Sequence, residues 1–540
     1  MRVAIVGAGT AGVAALKACV EEGIDAVCYE RDADIGGLWW FRDKETPPGR
    51  ATVMRHTVAN SSKELSAFSD FPQPEHFPPY PHNTQMLQYL RLYVDHFNLR
   101  RRIKFGKQVN VVQSDESSVT LKVQEGERIT SETFDYCLLC LGHHTVPNMP
   151  DAVPGQERFQ GRLIHAQDFR DGTPFKGQRV CVVGLGNSGG DVAVELSWES
   201  ASVFLSARRG NWVLPPLIGD SPADAYLMRR SSALKTNLLV RVLGLRRASW
   251  FTERKLDSIW DHELLGLKPD HPYLSQAATI NGYLYGRIMS GAVRVRKGIK
   301  AFTERGVIFE GTDVEEPLDA VVYATGYRAD KLPIENTEDV LPRDAVGRPV
   351  LYKGIFCPEK PRLGYIGHID ASGSLMEIFE MQARYAARLL AGHMTLPSPA
   401  EMRAIAERDV QKRNQFFIDS PRHHIMVSKM EYVDHLAEEI GCRPPLQRLF
   451  FTDPRMFKAV VFGPFLSSQY RLVGPHAWPG ARQVLLGYSE RVKNVLKPPS
   501  PVRAKSRAGL AVAAACTVAA AALTLKSTSA KKTNENGGSH

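Results

Sequence analysis

The chain has 540 residues, 43% hydrophobic, 9% aromatic and 23% charged, an ordinary globular composition that excludes a disordered chain, a collagen-like repeat or a single small module. Lysine and arginine number 68 against 58 acids, a net charge of +10. That excess suits anionic cofactors or an acidic membrane surface, whereas dispersed basic residues and the lack of any recognition motif leave nucleic acid off the list of expected partners.

Residues 1–6 form a short apolar run that meets glycine at once, the mark of a first parallel strand and not of a secretory signal. The strand, Val3 to Val6, leads into Gly7-Ala8-Gly9-Thr10-Ala11-Gly12. A helix is expected from Val13 to Glu22, ended by Gly23, then a strand from Ala26 to Tyr29 that delivers Glu30. Each part has a task in dinucleotide binding: Gly7 for the tight turn, Gly9 for close approach of backbone to a pyrophosphate, Gly12 for packing of helix on strand. The helix N-terminus faces the phosphates, and Glu30 accepts hydrogen bonds from ribose hydroxyls.

Next along the chain, Cys137 and Cys140 are spaced C-x-x-C inside a strand-like context, Phe-Asp-Tyr-Cys-Leu-Leu-Cys-Leu-Gly. We read them as inert core thiols, since residues three apart on a strand point to opposite faces and reactive thiols need an electropositive setting. No Cys/His cluster has metal-ligand spacing, so no metal is expected.

The dinucleotide pattern then recurs. A strand from Arg179 to Val183 leads into Gly184-Leu185-Gly186-Asn187-Ser188-Gly189-Gly190, a helix from Asp191 to Leu196 and a strand from Ser202 to Leu205. This second strand ends in Ser206-Ala207-Arg208-Arg209-Gly210 and not in an acid. Arginine pairs with a 2′-phosphate that an acid repels, so the first site is expected to hold a dinucleotide with free ribose hydroxyls and the second NADPH, and two such sites in one chain suggest an FAD enzyme reduced by NADPH. A further strand, Asp319 to Tyr323, runs into Ala324-Thr325-Gly326-Tyr327, the counterpart of Leu138 to Gly142. Both read as hinges where the chain leaves and re-enters the first domain. The expected fold is therefore α/β, two Rossmann-like domains with the NADPH domain inserted into the FAD domain.

With these motifs in place the sequence resembles the flavin-containing monooxygenases of the animal, dimethylaniline-oxidising type. Phe159-Gln160-Gly161-Arg162-Leu163-Ile164-His165-Ala166-Gln167-Asp168-Phe169 matches the family's F-x-G-x-x-x-H-x-x-x-[YF] motif. Gly36-Gly37-Leu38-Trp39, Asn60-Ser61-Ser62-Lys63-Glu64, Gly142-His143-His144 and Phe451-Thr452-Asp453-Pro454 extend the likeness over nearly the whole chain. The resemblance implies FAD on Gly7 to Ala11, Glu30, Leu38, Trp39, Asn60 and Ser61. It implies NADP near Ala59, Asn60 and Ser188 to Asp191, with Arg208 or Arg209 on the 2′-phosphate. Asn60 is the residue implied to sit beside the reactive flavin ring. Ala59 stands where many relatives carry threonine, one hydroxyl fewer beside the nicotinamide, and Trp40 stands where arginine is common.

What the resemblance implies for chemistry is NADPH- and O2-dependent oxygenation of soft nucleophiles, tertiary amines or sulfides, through a flavin hydroperoxide. Baeyer–Villiger oxidation of ketones and uncoupled NADPH oxidation are the alternatives, with a non-catalytic nucleotide-binding membrane protein more remote. Phe169 stands where bacterial Baeyer–Villiger enzymes carry tryptophan. The chemistry needs no protein nucleophile, because the cofactor carries it and the protein supplies position and exclusion of water. His143, His144 and His165 are read as structural.

Residues 212–287, rich in leucine, arginine and aromatics, resemble the family's helical insertion. Residues 374–391 carry apolar positions at helical spacing and read as core. From 451 to 486, aromatics, prolines and basic residues suggest a membrane contact. Ala508 to Leu525 has no charge and is bracketed by Lys505, Arg507 and Lys526, which suggests a C-terminal anchor. The expected division is an FAD domain at 1–150 and 326–445, an NADPH domain at 151–325, a membrane-associated region at 446–507, the hydrophobic tail at 508–525 and a disordered end at 526–540. By resemblance the membrane is that of the endoplasmic reticulum, with the catalytic domains facing the cytoplasm. Homo-oligomerisation is left open.

Overall fold

Valine, alanine and isoleucine fill Arg2–Val6 (β1), and the strand is buried on both faces beyond its first residue, the pattern of a central parallel strand. The computed structural model describes residues 1–497. In it β1 is followed by the helix Thr10–Glu21 (α1) and the strand Asp25–Tyr29 (β2). β1 lies between β2 and the strand Tyr136–Leu139 (β3), both parallel to it, with Val6 opposite Tyr29 on one side and Leu139 on the other. Ile103–Lys104 and Leu363–Tyr365 complete this five-stranded sheet at its two edges.

The second sheet repeats the plan. Arg179–Val183 (β4) leads into the helix Asn187–Glu199 (α2) and the strand Ser202–Ser206 (β5). β4 sits between β5 and Ala320–Tyr323 (β6), again all parallel, with Val183 opposite Ser206 and Tyr323. The edges are Val293–Arg296 and Arg162–His165. An antiparallel three-stranded meander precedes the return strand in each case, residues 108–134 before β3 and 299–317 before β6. The repeat thus extends from the glycine loops to the whole of each half. All five strands of the second sheet lie in sequence between β3 and Leu363–Tyr365 of the first, so the second domain is an insertion in the first.

Both loop helices begin earlier than the sequence suggests, at Thr10 instead of Val13 and at Asn187 instead of Asp191. Glycine is a poor helix former, which hides the first turn. Here Gly12, Gly189 and Gly190 are helical. A Cβ on Gly12 would lie 1.7 Å from the Gly7 carbonyl oxygen, and one on Gly189 2.0 Å from that of Gly184.

Residues to Val492 form one compact unit. The core of the first domain closes with the helix Met376–Leu390, buried on nearly every face, in keeping with its apolar periodicity. Its polar residues are buried too. Glu380 pairs with Arg471 at 3.2 Å, and Arg471, wholly buried, also meets Glu21 at 3.1 Å and Asp70 at 3.0 Å. Lys17 binds the same two acids at 2.5 Å each, so the arginine brought in from late in the chain is neutralised within a shared network. Cys137 and Cys140 are buried and unbridged, and burial pushes both thiols up, away from the reactive thiolate.

Candidate active site

At the first loop Gly7 takes φ +99°, and a Cβ there would sit 2.6 Å from the Cys140 carbonyl oxygen. Gly9 is the N-cap of α1 and carries no side-chain cap, so the first amides of the helix face outward unclaimed by any capping side chain. Opposite it stands Gly37, whose own Cβ would lie 3.0 Å from the Gly9 Cα. Two stretches of bare backbone therefore touch, with Leu38 and Trp39 following in a short 3-10 turn. Glu30 is buried at the end of β2 and accepts the amides of Ala8 at 2.6 Å and Asp32 at 2.9 Å. Burial raises its pKa, partly offset by these two bonds.

The second loop reproduces this arrangement. Gly184 takes φ +113°, with a Cβ position 2.5 Å from the Ala324 carbonyl oxygen, and Gly186 is the uncapped N-cap of α2. Asn187 Oδ1 accepts the Ile280 amide at 2.8 Å. Asp191 accepts from Asn281 Nδ2 at 2.7 Å, and burial pushes its carboxyl up to about 7.

Both loops open into one cavity of about 820 Å³, within the range of small-molecule sites. Of the residues singled out in the sequence, Gly7, Gly9, Thr10, Ala11, Glu30, Leu38 and Trp39 line it at the first loop. Ala59, Asn60 and Ser61 line it at the centre, and Gly184, Gly186, Asn187, Ser188, Asp191 and Arg209 at the second loop. The others stand off the wall for identifiable reasons. Ala8 is buried under the loop with its amide held by Glu30. Gly12 and Gly189 are spacers that let each helix meet its loop, and Gly190 packs against Thr279 and Asn281. Arg208 is exposed but does not border the cavity, whereas its neighbour Arg209 does.

Asn60 makes no side-chain hydrogen bond among the described residues, so its amide is available to a ligand. Ala59 beside it is buried, its amide donating to the Pro81 carbonyl at 2.8 Å. The histidines behave structurally. His165 bonds the Gly326 carbonyl at 3.1 Å and accepts the Gln167 amide at 3.1 Å. His143 Nδ1 meets the Gly367 carbonyl at 3.1 Å, while its buried Nε2 has no hydrogen-bond partner among the described residues. Asp224, which also borders the cavity, was not visible to sequence reasoning, because it is isolated there from any motif.

Glycine backbone with no room for a Cβ, two uncapped helix N-termini and a buried acid after β2 fit FAD at the first loop. The same loop, with Arg209 after β5 in place of the acid, fits NADPH at the second.

A family model described as flavin-binding monooxygenase-like matches residues 1–526. The chain belongs to the flavin-containing monooxygenase family. It is 40% identical over 506 residues to flavin-containing monooxygenase 5 of Oryctolagus cuniculus, covering 92% of this chain and 93% of the relative. Dimethylaniline monooxygenase [N-oxide-forming] 2 of Rattus norvegicus is 39% identical with the same coverage. Among solved structures, S-allyl-L-cysteine S-oxygenase from Allium sativum superposes with TM-score 0.61 at 20% identity, covering 91% of this chain and 98% of that one. Cyclohexanone monooxygenase from Rhodococcus sp. Phi1 bound to NADP+ gives 0.59 at 19%, covering 82% and 97%. At these identities the two structures speak for the fold, and they share it. The family member described here is thus a flavoprotein monooxygenase that works with FAD, NADPH and O2.

Proposed function

We propose that Gly7, Gly9, Thr10 and Ala11 hold the FAD pyrophosphate, that Glu30 binds its ribose, and that Leu38, Trp39, Asn60 and Ser61 close on the flavin end. Gly184, Gly186, Asn187, Ser188 and Asp191 take NADPH, with Arg209 on the 2′-phosphate and Ala59 beside the nicotinamide. FAD held by these residues would supply hydride acceptance from NADPH and activation of O2, one oxygen atom going to the substrate and the other to water. The protein's part is positional. The helix N-termini stabilise the phosphates, Asn60 offers its unbonded amide, and Leu214, Leu227, Met228 and Phe379 give the wall an apolar stretch that excludes water. The substrates are small lipophilic amines and sulfides oxidised at nitrogen or sulfur. The observation that carries this reading is that one cavity joins both glycine loops and Asn60. Asn60→Ala is the test: product formed per NADPH should fall while FAD stays bound, and an undiminished ratio would remove Asn60 from the site. Ketone conversion in place of amine or sulfide oxidation would move the assignment to Baeyer–Villiger chemistry.

We also propose attachment to the cytoplasmic face of the endoplasmic reticulum. Leu234, Leu238 and Val242 are exposed along one face of Arg230–Leu243, and Trp250 and Phe251 are exposed on Leu245–Asp257. Lys235, Arg241, Arg246, Arg247, Arg254 and Lys255 are interleaved with them, the composition of an interfacial helix. Phe450, Phe451 and Phe462 extend the apolar surface in the 446–507 region. Among the described residues no helix is long and apolar enough to cross a membrane, and the tail at 508–525 lies outside them. Removing residues 508–540 should release much of the protein from microsomes, and replacing the exposed aromatics as well should release the rest; full retention of both variants would refute the tail and these aromatics as the anchors. The domain division proposed is 1–150 and 326–445 for FAD, with 151–325 for NADPH.

A further inference from the structure

Asn60 has to be presented to the cavity from a loop, and the bonds that hold this loop lie on either side of Asn60 and Ser61. Among the described residues neither the Asn60 amide nor the Ser61 amide donates to protein. The backbone is anchored on either side of them. Upstream, the Ala59 amide donates to the Pro81 carbonyl at 2.8 Å. Downstream, the Ser62 amide donates to Asp224 Oδ2 at 2.6 Å, and the Ser62 hydroxyl donates to the same oxygen at 3.0 Å. The second anchor joins this carboxylate oxygen, supplied across 162 residues of sequence by the short helix Ala223–Leu227 of the insertion, to two local bonds, the Lys63 amide on the Pro79 carbonyl at 2.8 Å and the Ser66 hydroxyl on Ser61 Oγ at 3.1 Å.

This carboxylate is built into its place. Asp224 is buried, and its other oxygen accepts the Ala225 amide at 2.8 Å. Burial raises the Asp224 carboxyl above its ordinary range, and the bonds from Ser62 and Ala225 offset this in part; of the charged and titratable groups near enough to act on it, Lys429, Glu377, Tyr80 and Tyr488, Lys429 favours its ionised form. A charged acceptor makes the two bonds from Ser62 stronger than neutral ones. It also makes their loss costly, because removing one partner leaves the other's buried polar groups unsatisfied.

We propose that Asp224 is a positioning residue for Asn60: by gripping the Ser62 amide and hydroxyl, it fixes the loop that presents the Asn60 side chain to the reacting flavin, and so couples NADPH oxidation to oxygenation of the substrate. It rests on the reading of Asn60 given above. A small displacement of a group beside the reaction is enough to divert it, since misplacement by about 1 Å costs up to about 100-fold. The insertion thereby acts on the chemistry as well as walling the cavity.

A double-mutant cycle tests this on the full-length, FAD-loaded enzyme. Wild type, Asn60→Ala, Asp224→Ala and the double variant are compared for oxygenated product per NADPH oxidised, with FAD content measured alongside. The expected result is that Asp224→Ala keeps its FAD and lowers the ratio by about 10-fold, and that the double variant falls no lower than Asn60→Ala alone. Losses that multiply in the double variant, or an Asp224→Ala ratio within about two-fold of wild type, would overturn the proposal. Asp224→Asn covers the case in which alanine is not tolerated. It keeps one oxygen for Ser62 but turns an NH2 toward the Ala225 amide, so an intermediate ratio is expected and an unchanged one refutes. If Asn60→Ala itself leaves the ratio intact, it is the reading of Asn60 that fails; if only the Asp224 variants do, the positioning claim fails alone.

Discussion

Gly12 and Gly189 occupy equivalent places in the two loops, so substituting each separates the two cofactors. In Gly12→Ala the new methyl would lie 1.7 Å from the Gly7 carbonyl oxygen, against a floor of 3.0 Å for real contacts, so helix and loop must part by about 1.3 Å. The obstacle is backbone, and Gly7 is pinned by its amide bond to the Tyr29 carbonyl at 2.8 Å, so no side chain can rotate away. Overpacking costs about 1–3 kcal/mol, and a rigid obstacle belongs at the upper end. If about 3 kcal/mol falls on the bound state, FAD binds about 100-fold more weakly. Gly189→Ala meets the Gly184 oxygen at 2.0 Å and should leave FAD in place while raising KM for NADPH by tens of fold, on the order of 2 kcal/mol. Gly286→Ala is the control: it is helical, nothing lies within 4 Å, and alanine should be neutral or slightly stabilising there. Flavin absorbance per protein on gel-filtered samples, with steady-state KM, reads all three. Gly12→Ala that retains FAD like wild type, or Gly189→Ala that loses it, would refute the assignment of the loops.

Arg209→Ala should weaken NADPH far more than NADH, by about 10- to 100-fold for a lost charge-assisted pair, while Arg208→Ala should change the preference little; steady-state KM for both cofactors decides. Because Asp191 titrates at about 7 on the cavity wall, it is neutral below that pH and repels the cofactor phosphates above it. KM for NADPH should therefore climb as pH rises through neutrality, and Asp191→Asn should flatten the profile. Arg471→Ala strips a wholly buried cation from Glu21, Asp70 and Glu380 and should cost about 3–5 kcal/mol by denaturant unfolding. Burial raises the Glu21 and Asp70 carboxyls, but Arg471 and Lys17 more than offset it and hold both below the ordinary range. Their stabilisation is thus present above the ordinary carboxylate pKa and lost as pH falls through the depressed values, and this acid-side slope should be shallower in Arg471→Ala.

The parallel strands and both glycine loops were legible because their signal is local: an apolar run, a glycine spacing and a following helix lie within some thirty residues. Cys137 and Cys140 were legible for the same reason, as core thiols without an electropositive neighbour, although the strand ends at Leu139 and Cys140 follows it. Helix starts were misplaced because glycine suppresses helical propensity where Gly12 and Gly189 in fact need close packing. Adjacent Arg208 and Arg209 could not be separated, since only the turn that ends at Gly210 decides which of them borders the cavity. Asp224 and Ser62, 162 residues apart, and the network around Arg471 depend on tertiary pairing that no periodicity encodes.

The most direct test of the central claim is isotopic. FAD-loaded enzyme is supplied with NADPH, a tertiary amine or sulfide, and 18O2, and the product is weighed by mass spectrometry against NADPH consumed. The account predicts an N-oxide or S-oxide carrying a single 18O atom, formed in near-equal amount to the NADPH oxidised. NADPH consumption that yields only hydrogen peroxide, with no labelled product from either substrate class, would contradict it.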